Sequence, residues 1–252
     1  MTGFLGIDYD DRSTAAIIDE LAARDPGAPF AYLVTPNVDH VVRLHEDQGA
    51  DRDAVHAAYR TADWCTCDSR ILAALARTSG VDLSVVPGSD LTAAIIGSVL
   101  RPGDRIALVG GSDSTTAILA RMLPGVTIVE HRPPMGLRRN RAAIDDAAAF
   151  IAGAGARFVF LAVGSPQQEL VAAATRARGD ATGIGLCIGA GIEFVTGERK
   201  RAPVFLQRLH LEWAHRLLGD PRRLWRRYLV TGPRVFGLAL ADARRRRRGT
   251  SA

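Results

Sequence analysis

The chain has 252 residues, of which 47% are hydrophobic, 23% charged and 6% aromatic. That is enough for one large α/β domain or two tightly packed lobes, and too apolar for a disordered protein; three cysteines, an odd number, exclude a fully paired disulfide framework and point to a reducing compartment. The net charge of +5 is uneven, since residues 1–198 hold 17 Arg/Lys against 24 Asp/Glu while residues 199–252 hold 15 against 3, so an acidic body carries a basic end.

Ala31–Thr35 reads as a buried strand, followed by a helix from Asn37 to about Tyr59 with a turn inside it. Leu83–Val86 reads as a strand, then Gly88-Ser-Asp90 leads into an apolar helix over Leu91–Leu100. Strand Arg105–Gly110 ends in Gly110-Gly111, and a helix over Ser114–Leu123 follows. Strand Val126–Glu130, helix Ala142–Ala152, strand Arg157–Val163, helix Gln167–Arg178 and strand Gly183–Ile188 complete the alternation. This pattern predicts an α/β fold with a parallel sheet covered on both faces. Such sheets bind ligands at the carboxyl ends of their strands, where the loops at Gly110, Gly164 and Gly189 fall. From Pro203 the pattern becomes a basic amphipathic helix, broken at Gly219-Asp-Pro221. The run Arg244–Arg248 predicts a disordered tail through self-repulsion. The N-terminus is acidic, without the basic start of a signal peptide, and no apolar stretch approaches the roughly 18 residues of a membrane span. The expectation is a cytosolic body.

Four segments could carry chemistry. Gly110-Gly111-Ser112-Asp-Ser-Thr-Thr116 joins a strand to a helix, where glycines and helix N–H groups can approach a phosphate. It is neither a dinucleotide fingerprint nor a P-loop, and a capped Gly-Gly turn is common in any α/β fold. In Thr35-Pro-Asn37-Val-Asp39-His40, Asn37 reads as a helix cap or as part of a polar cluster at a strand end. His40 alone reads as structural rather than as a metal ligand. Asp68 ends the segment Asp63-Trp-Cys-Thr-Cys-Asp68, and reads either as an N-cap or as a general base. Cys65 and Cys67 have no matching second pair for zinc. In Gly164-Ser-Pro166-Gln-Gln168-Glu169, Pro166 suits a first helical turn and Glu169 suits the dipole.

The last three of these segments, in that order, resemble motifs of the WecG/TagA/CpsF glycosyltransferases. The resemblance covers about residues 4–230 and includes a fourth motif, Gly189 to Arg201-Ala-Pro203, continuing through Leu211-Glu-Trp213, Arg216, Asp220-Pro-Arg222 and Arg226-Arg227-Tyr228. It implies a Rossmann-like body over 1–203, with an N-terminal acceptor and catalytic lobe to about 100 and a nucleotide-binding lobe over about 101–203. A basic helical appendage over 204–230 and the tail over 231–252 follow. The implied reaction is an inverting transfer from a UDP-sugar to a polyprenyl-diphosphate-linked sugar, for cell-surface polymers, with no metal and no cofactor. The resemblance places Asp68 as base, with Thr35 and Asn37 as catalytic pocket residues. It implies substrate contacts from Asp39, His40, Gly88, Asp90, Gly110, Gly111, Ser112, Gly164, Pro166, Gln168, Glu169, Gly189, Glu193 and Arg201. Arg216, Arg222, Arg226 and Arg227 of the appendage suit a diphosphate, since guanidinium matches its oxygens bidentately. The implied site of work is the inner face of the plasma membrane, with the appendage on an anionic surface.

The chain departs from the family's pattern at Asp68-Ser69 for Asp-Gly, at Val85 for an arginine, at Ile192-Glu193 for Phe-Asp, and at Gln167 for a lysine. These changes point to a diverged donor or acceptor preference. A competing reading is a non-enzymatic protein whose basic end binds nucleic acid. Against it, Trp213, Trp225 and Tyr228 recur at helical spacing with leucines, a pattern of core or membrane contact, so no specific nucleic acid is expected. A dinucleotide oxidoreductase lacks its G-x-G-x-x-G.

Overall fold

The computed structural model describes residues 1–47, 50–199, 202–203, 206 and 212–249, with side chains at all of these except 50, 51, 216, 223 and 247–249. The chain opens with an antiparallel hairpin, β1 (Thr2–Phe4) and β2 (Ile7–Tyr9), turning at Leu5 and Gly6. Both turn residues have positive φ, 50° and 75°, which gives a two-residue turn the twist its strands need. Leu5 adopts this conformation at a cost that its burial beside Phe4, Ile7 and Tyr9 offsets. Strands of three residues are too short for periodicity, so the sequence reading had no strand there.

Helix α1 (Thr14–Ala23) starts where the Ser13 hydroxyl accepts from the Ala16 N–H. Strand β3 (Ala31–Val34) leads to α2 (Val38–Glu46) and α3 (Ala50–Arg60), then β4 (Trp64–Cys65) leads to α4 (Arg70–Thr78). Helix α5 (Gly88–Ala94) continues as a π-helical turn over Ile95–Val99. Strand β5 (Arg105–Gly110), α6 (Asp113–Met122), β6 (Thr127–His131), α7 (Arg141–Ala154), β7 (Phe158–Ala162), α8 (Gln167–Arg178), β8 (Ile184–Cys187) and α9 (Gly191–Val195) follow. The C-terminal part comprises α10 (Glu212–Gly219), α11 (Pro221–Trp225), a π-helical segment over Arg226–Thr231 and α12 (Arg234–Gly249).

Six strands form one parallel sheet in the order β4-β3-β8-β7-β5-β6. Alternation along the strands builds a core on each face. Tyr32, Val34, Val109, Val159 and Leu161 pack toward α2, α3, α4, α7 and α8; Leu33, Ile106, Leu108, Phe158 and Phe160 pack toward α1, α5 and α6. This is the expected α/β architecture with helices on both faces. The expected division near residue 100 does not separate two sheets, because β3 pairs with β8 and joins the strands that follow residue 105. The strand order reverses between β5 and β7, the switch point at which sheets of this kind place ligands.

Two expectations need correction. Leu83–Val86 is not a strand of the sheet: only Val85 bridges, to Cys67, before Pro87 ends the extension. The region 231–252 is not disordered where it is described, since 234–249 is helical. Local charge counting misses three stabilising features. Val235 and Ala239 are buried against the core, Asp242 pairs with Arg246 at 2.6 Å one turn on, and Arg246 donates to the Gly3 carbonyl at 2.7 Å. Arginines at a helix C-terminus also complement its dipole.

Gly183 precedes β8 with φ of +84°, and a Cβ there would lie 2.1 Å from the Ala156 carbonyl oxygen. Gly183→Ala is expected to cost about 2 kcal/mol or more, read as a lower urea midpoint with unchanged slope.

Candidate active site

The loops leaving β3 and β4 run side by side. Thr66 N–H donates to the Val34 carbonyl at 2.9 Å and Asp68 N–H to the Pro36 carbonyl at 3.0 Å. Asn37 caps α2, its Oδ1 accepting from Asp39 N–H at 3.0 Å and from His40 N–H at 3.4 Å. The cap of α4 is Ser69, whose hydroxyl accepts from Leu72 N–H at 3.2 Å, so Asp68 is not the N-cap. Ser69 sits at φ of −156°, extended backbone open to any residue, so serine after Asp68 needs no altered turn.

These loops form one wall of a cavity of about 390 Å³ containing Asn37, Asp39, Asp68, Ser69 and Arg70, with Val85 and Ser89 beside them. The opposite wall is C-terminal: Glu212, Trp213, Arg227, Tyr228, Val235 and Phe236. Trp213 and Tyr228 meet with ring centroids 6.2 Å apart, and the Arg227 guanidinium lies 5.7 Å from the Tyr228 ring centre. Asp39 links the walls, its Oδ2 being 2.6 Å from Arg43 Nη2 and 3.4 Å from Arg227 Nε. Arg234 pairs with Glu46 at 2.6 Å on the same side.

Behind this wall lies a buried polar chain. The Tyr59 hydroxyl is 3.0 Å from His40 Nδ1 and donates to Glu169 Oε1 at 3.3 Å. Gln168 donates to the same oxygen at 3.0 Å, while its Oε1 accepts from Gly189 N–H at 2.9 Å. Burial, reinforced by Arg43 and Arg227, pushes the His40 pKa well below the usual range, so His40 is neutral. Burial raises Glu169 against the pull of Gln168 and other neighbours. Arg43 donates to the Ser165 carbonyl at 2.7 Å, binding α2 to the 164–169 loop. The Thr35 hydroxyl donates to the Cys187 carbonyl at 2.9 Å, tying the end of β3 to β8.

At the β5 end, Gly110 and Gly111 have φ of +93° and +81°, and a Cβ on Gly110 would come within 3.1 Å of the Ala162 backbone. Ser112 and Thr115 then form a reciprocal capping box on α6. The Glu198 carboxylate closes this turn, accepting from Ser112 at 2.9 Å, Ser114 at 2.5 Å, Thr115 at 2.7 Å and Thr196 at 2.7 Å. Partial burial works to raise the Glu198 pKa, but the hydroxyls of Ser114, Thr115, Thr196 and Ser112 outweigh it and hold the group at about 2.

The model of the Glycosyl transferase WecG/TagA/CpsF family matches residues 2–249. The chain belongs to this family. It is accordingly a glycosyltransferase of the kind that builds cell-surface polymers, acting on a sugar donor and an acceptor.

Of the residues its motifs single out, Asn37, Asp39, Asp68 and Arg227 share the cavity. Thr35, His40, Gln168 and Glu169 are buried, and bind loops to one another instead of facing the cavity. Gly88 begins α5 packed on Thr35, Asp90 lies in the first turn of α5, and Pro166 begins α8 after a cis Ser165–Pro166 bond. Gly110, Gly111, Ser112, Gly164 and Gly189 follow the carboxyl ends of β5, β7 and β8, outside the cavity lining. Glu193 pairs with Arg199 at 2.8 Å. Arg222 and Arg226 are exposed; Arg201 and the Arg216 side chain lie outside the described residues. Sequence reasoning missed Arg43, Tyr59 and Glu198. The i,i+4 spacing of Asp39 and Arg43 could have signalled the first, while Tyr59 and Glu198 act across long sequence separations.

A folded-state pKa below the ordinary 4.5 means that Glu198 adds stability above pH 4.5, and that this is lost as pH falls toward 2. Wild type and Glu198→Gln should therefore differ in urea midpoint at pH 5–7, and converge as pH drops through about 4.5 to about 2.

Proposed function

We propose that this glycosyltransferase moves a hexose or N-acetylhexosamine-type sugar from a UDP-sugar to a polyprenyl-diphosphate-linked sugar, with inversion and without a metal ion. The observation that carries the reading is a shared cavity lined by Asn37 and Asp68 of the body and by Arg227 of the C-terminal segment. In an inverting transfer the acceptor oxygen attacks the anomeric carbon while a base takes its proton. The Asp68 carboxylate is that base. The bond from the anomeric carbon to the diphosphate oxygen breaks, and its electron pair leaves with UDP. Charge developing on UDP must be met by fixed donors. Arg227 lines the cavity and supplies a cation for this, with Arg216, Arg222 and Arg226 as its neighbours in sequence. Asn37 holds a polar position at the strand end, and the glycine turn at Gly164, where a Cβ would meet nothing within 4 Å, leaves room for a nucleotide.

The acceptor's lipid places the work at a membrane, on its cytoplasmic face in this reading. What supports it is a surface of exposed Leu218, Trp225, Leu229, Val230, Phe236 and Leu240 interspersed with Arg222, Arg226, Arg234, Arg244 and Arg245. Apolar side chains among arginines suit an anionic lipid surface. No helix among the described residues is long and apolar enough to cross a membrane.

Two measurements test this. Asp68→Asn is expected to lower UDP release from a UDP-sugar and a lipid-diphosphate-GlcNAc analogue by about a hundred- to ten-thousand-fold, with UDP binding kept within about twofold. Full turnover in that variant removes Asp68 from the base role. Leu218→Glu with Leu240→Glu, both away from the cavity, should abolish sedimentation with anionic vesicles yet spare transfer to a water-soluble acceptor. Unchanged sedimentation would sink the membrane contact.

A further inference from the structure

Arg70 is the first residue of α4 and lines the cavity two residues after Asp68. The position is electrostatically unfavourable for an arginine. The first N–H groups of a helix carry partial positive charge, so an anion is favoured there and a cation disfavoured. The Arg70 side chain is exposed and makes no hydrogen bond or ion pair with any described residue. Nor does it start the helix, since the Ser69 hydroxyl does that.

Among the described residues, a second cation lines the opposite wall. Arg227 Nε lies 3.4 Å from Asp39 Oδ2 but completes no hydrogen bond with a described residue. Among the described residues, the cavity thus has one guanidinium on its body wall and one on its C-terminal wall, with Asp68 beside the first. A residue that opposes its own helix, has no partner among the described residues and faces a cavity is accounted for by a ligand, because departures from local rules concentrate at functional sites. The planar guanidinium fork selects for phosphate oxygens over neutral groups. A cavity of about 390 Å³ has room for such a group and the sugar attached to it.

We propose that Arg70 binds the phosphate oxygens of a diphosphate substrate in this cavity, from the wall opposite Arg227. The proposal rests on the diphosphate chemistry of the preceding reading. The diphosphate belongs to the nucleotide donor or to the lipid-linked acceptor, and both present the same oxygens.

The test uses the full chain with Arg70→Ala and Arg70→Lys. Calorimetry with inorganic pyrophosphate and with UDP reads binding without turnover, and KM is measured for a water-soluble short-prenyl diphosphate-GlcNAc. Arg70→Ala should weaken pyrophosphate binding about tenfold or more, and Arg70→Lys should recover only part of it, because an ammonium lacks the fork. A parallel loss of UDP affinity assigns Arg70 to the donor; a raised acceptor KM with UDP affinity intact assigns it to the acceptor. The urea midpoint of Arg70→Ala should be unchanged or higher, since a cation disfavoured by the helix dipole is gone. Binding of all three probes within about twofold of wild type overturns the proposal, as does a lowered midpoint that accounts for the loss. If no UDP-sugar is ever turned over, the functional reading fails, and the pyrophosphate arm still decides the role of Arg70.

Discussion

The pairing of β3 with β8 brings a strand from the first forty residues into a sheet otherwise assembled after residue 105, apart from its edge strand β4. Parallel strands leave their carboxyl ends on one side, so this pairing sets the Thr35–His40 and Asp68 loops beside the turns at Gly164 and Gly189. The Thr35 hydroxyl on the Cys187 carbonyl completes the junction where the ladder ends. A register slip of one residue here would turn Tyr32 and Val34 out of one core and Leu33 out of the other. The positions of Asn37 and Asp68 therefore depend on a hydrophobic register well removed from any substrate.

Polar residues at the site divide into two groups with different physics. His40, Tyr59, Gln168 and Glu169 are buried and linked to one another through Glu169 Oε1 and the Tyr59 hydroxyl, and in that setting Glu169 is shifted toward its neutral form and His40 is kept neutral. Their polarity fixes loops in place. Asp39, Asp68, Arg70 and Arg227 line the cavity, with Asp39 paired to Arg43 and close to Arg227. Arg43 stands between the groups, with one nitrogen on Asp39 and another on the Ser165 carbonyl.

Strand β5 and helix α8 were legible to the residue, because an apolar run ending in glycine and a proline-started helix are strong local signals. The hairpin at residues 2–9 and the two-residue β4 were not, since neither spans a period. The C-terminal arginines misled for a related reason. Their repulsion is visible in sequence, whereas the burial of Val235 and the contact of Arg246 with Gly3 exist only once the ends of the chain meet. At the site, motifs were enough to single out Asn37 and Asp68. They also placed Glu169 against substrate, whereas its burial under Tyr59 is a tertiary fact. Glu198 was invisible because its hydroxyl partners Ser112 and Ser114 lie more than eighty residues earlier.

The three cysteines, all free and buried, have a practical consequence. Burial pushes every thiol up, Cys67 to about 12, so the reactive thiolate is suppressed in the folded protein. Cys65 lies on the edge strand β4, Cys67 in the loop after it, and Cys187 on the interior strand β8. Alkylation kinetics therefore amount to a built-in clock of structural opening. Labelling at Cys65 times the fraying of the edge that carries Asp68, and labelling at Cys187 times the opening of the sheet's centre.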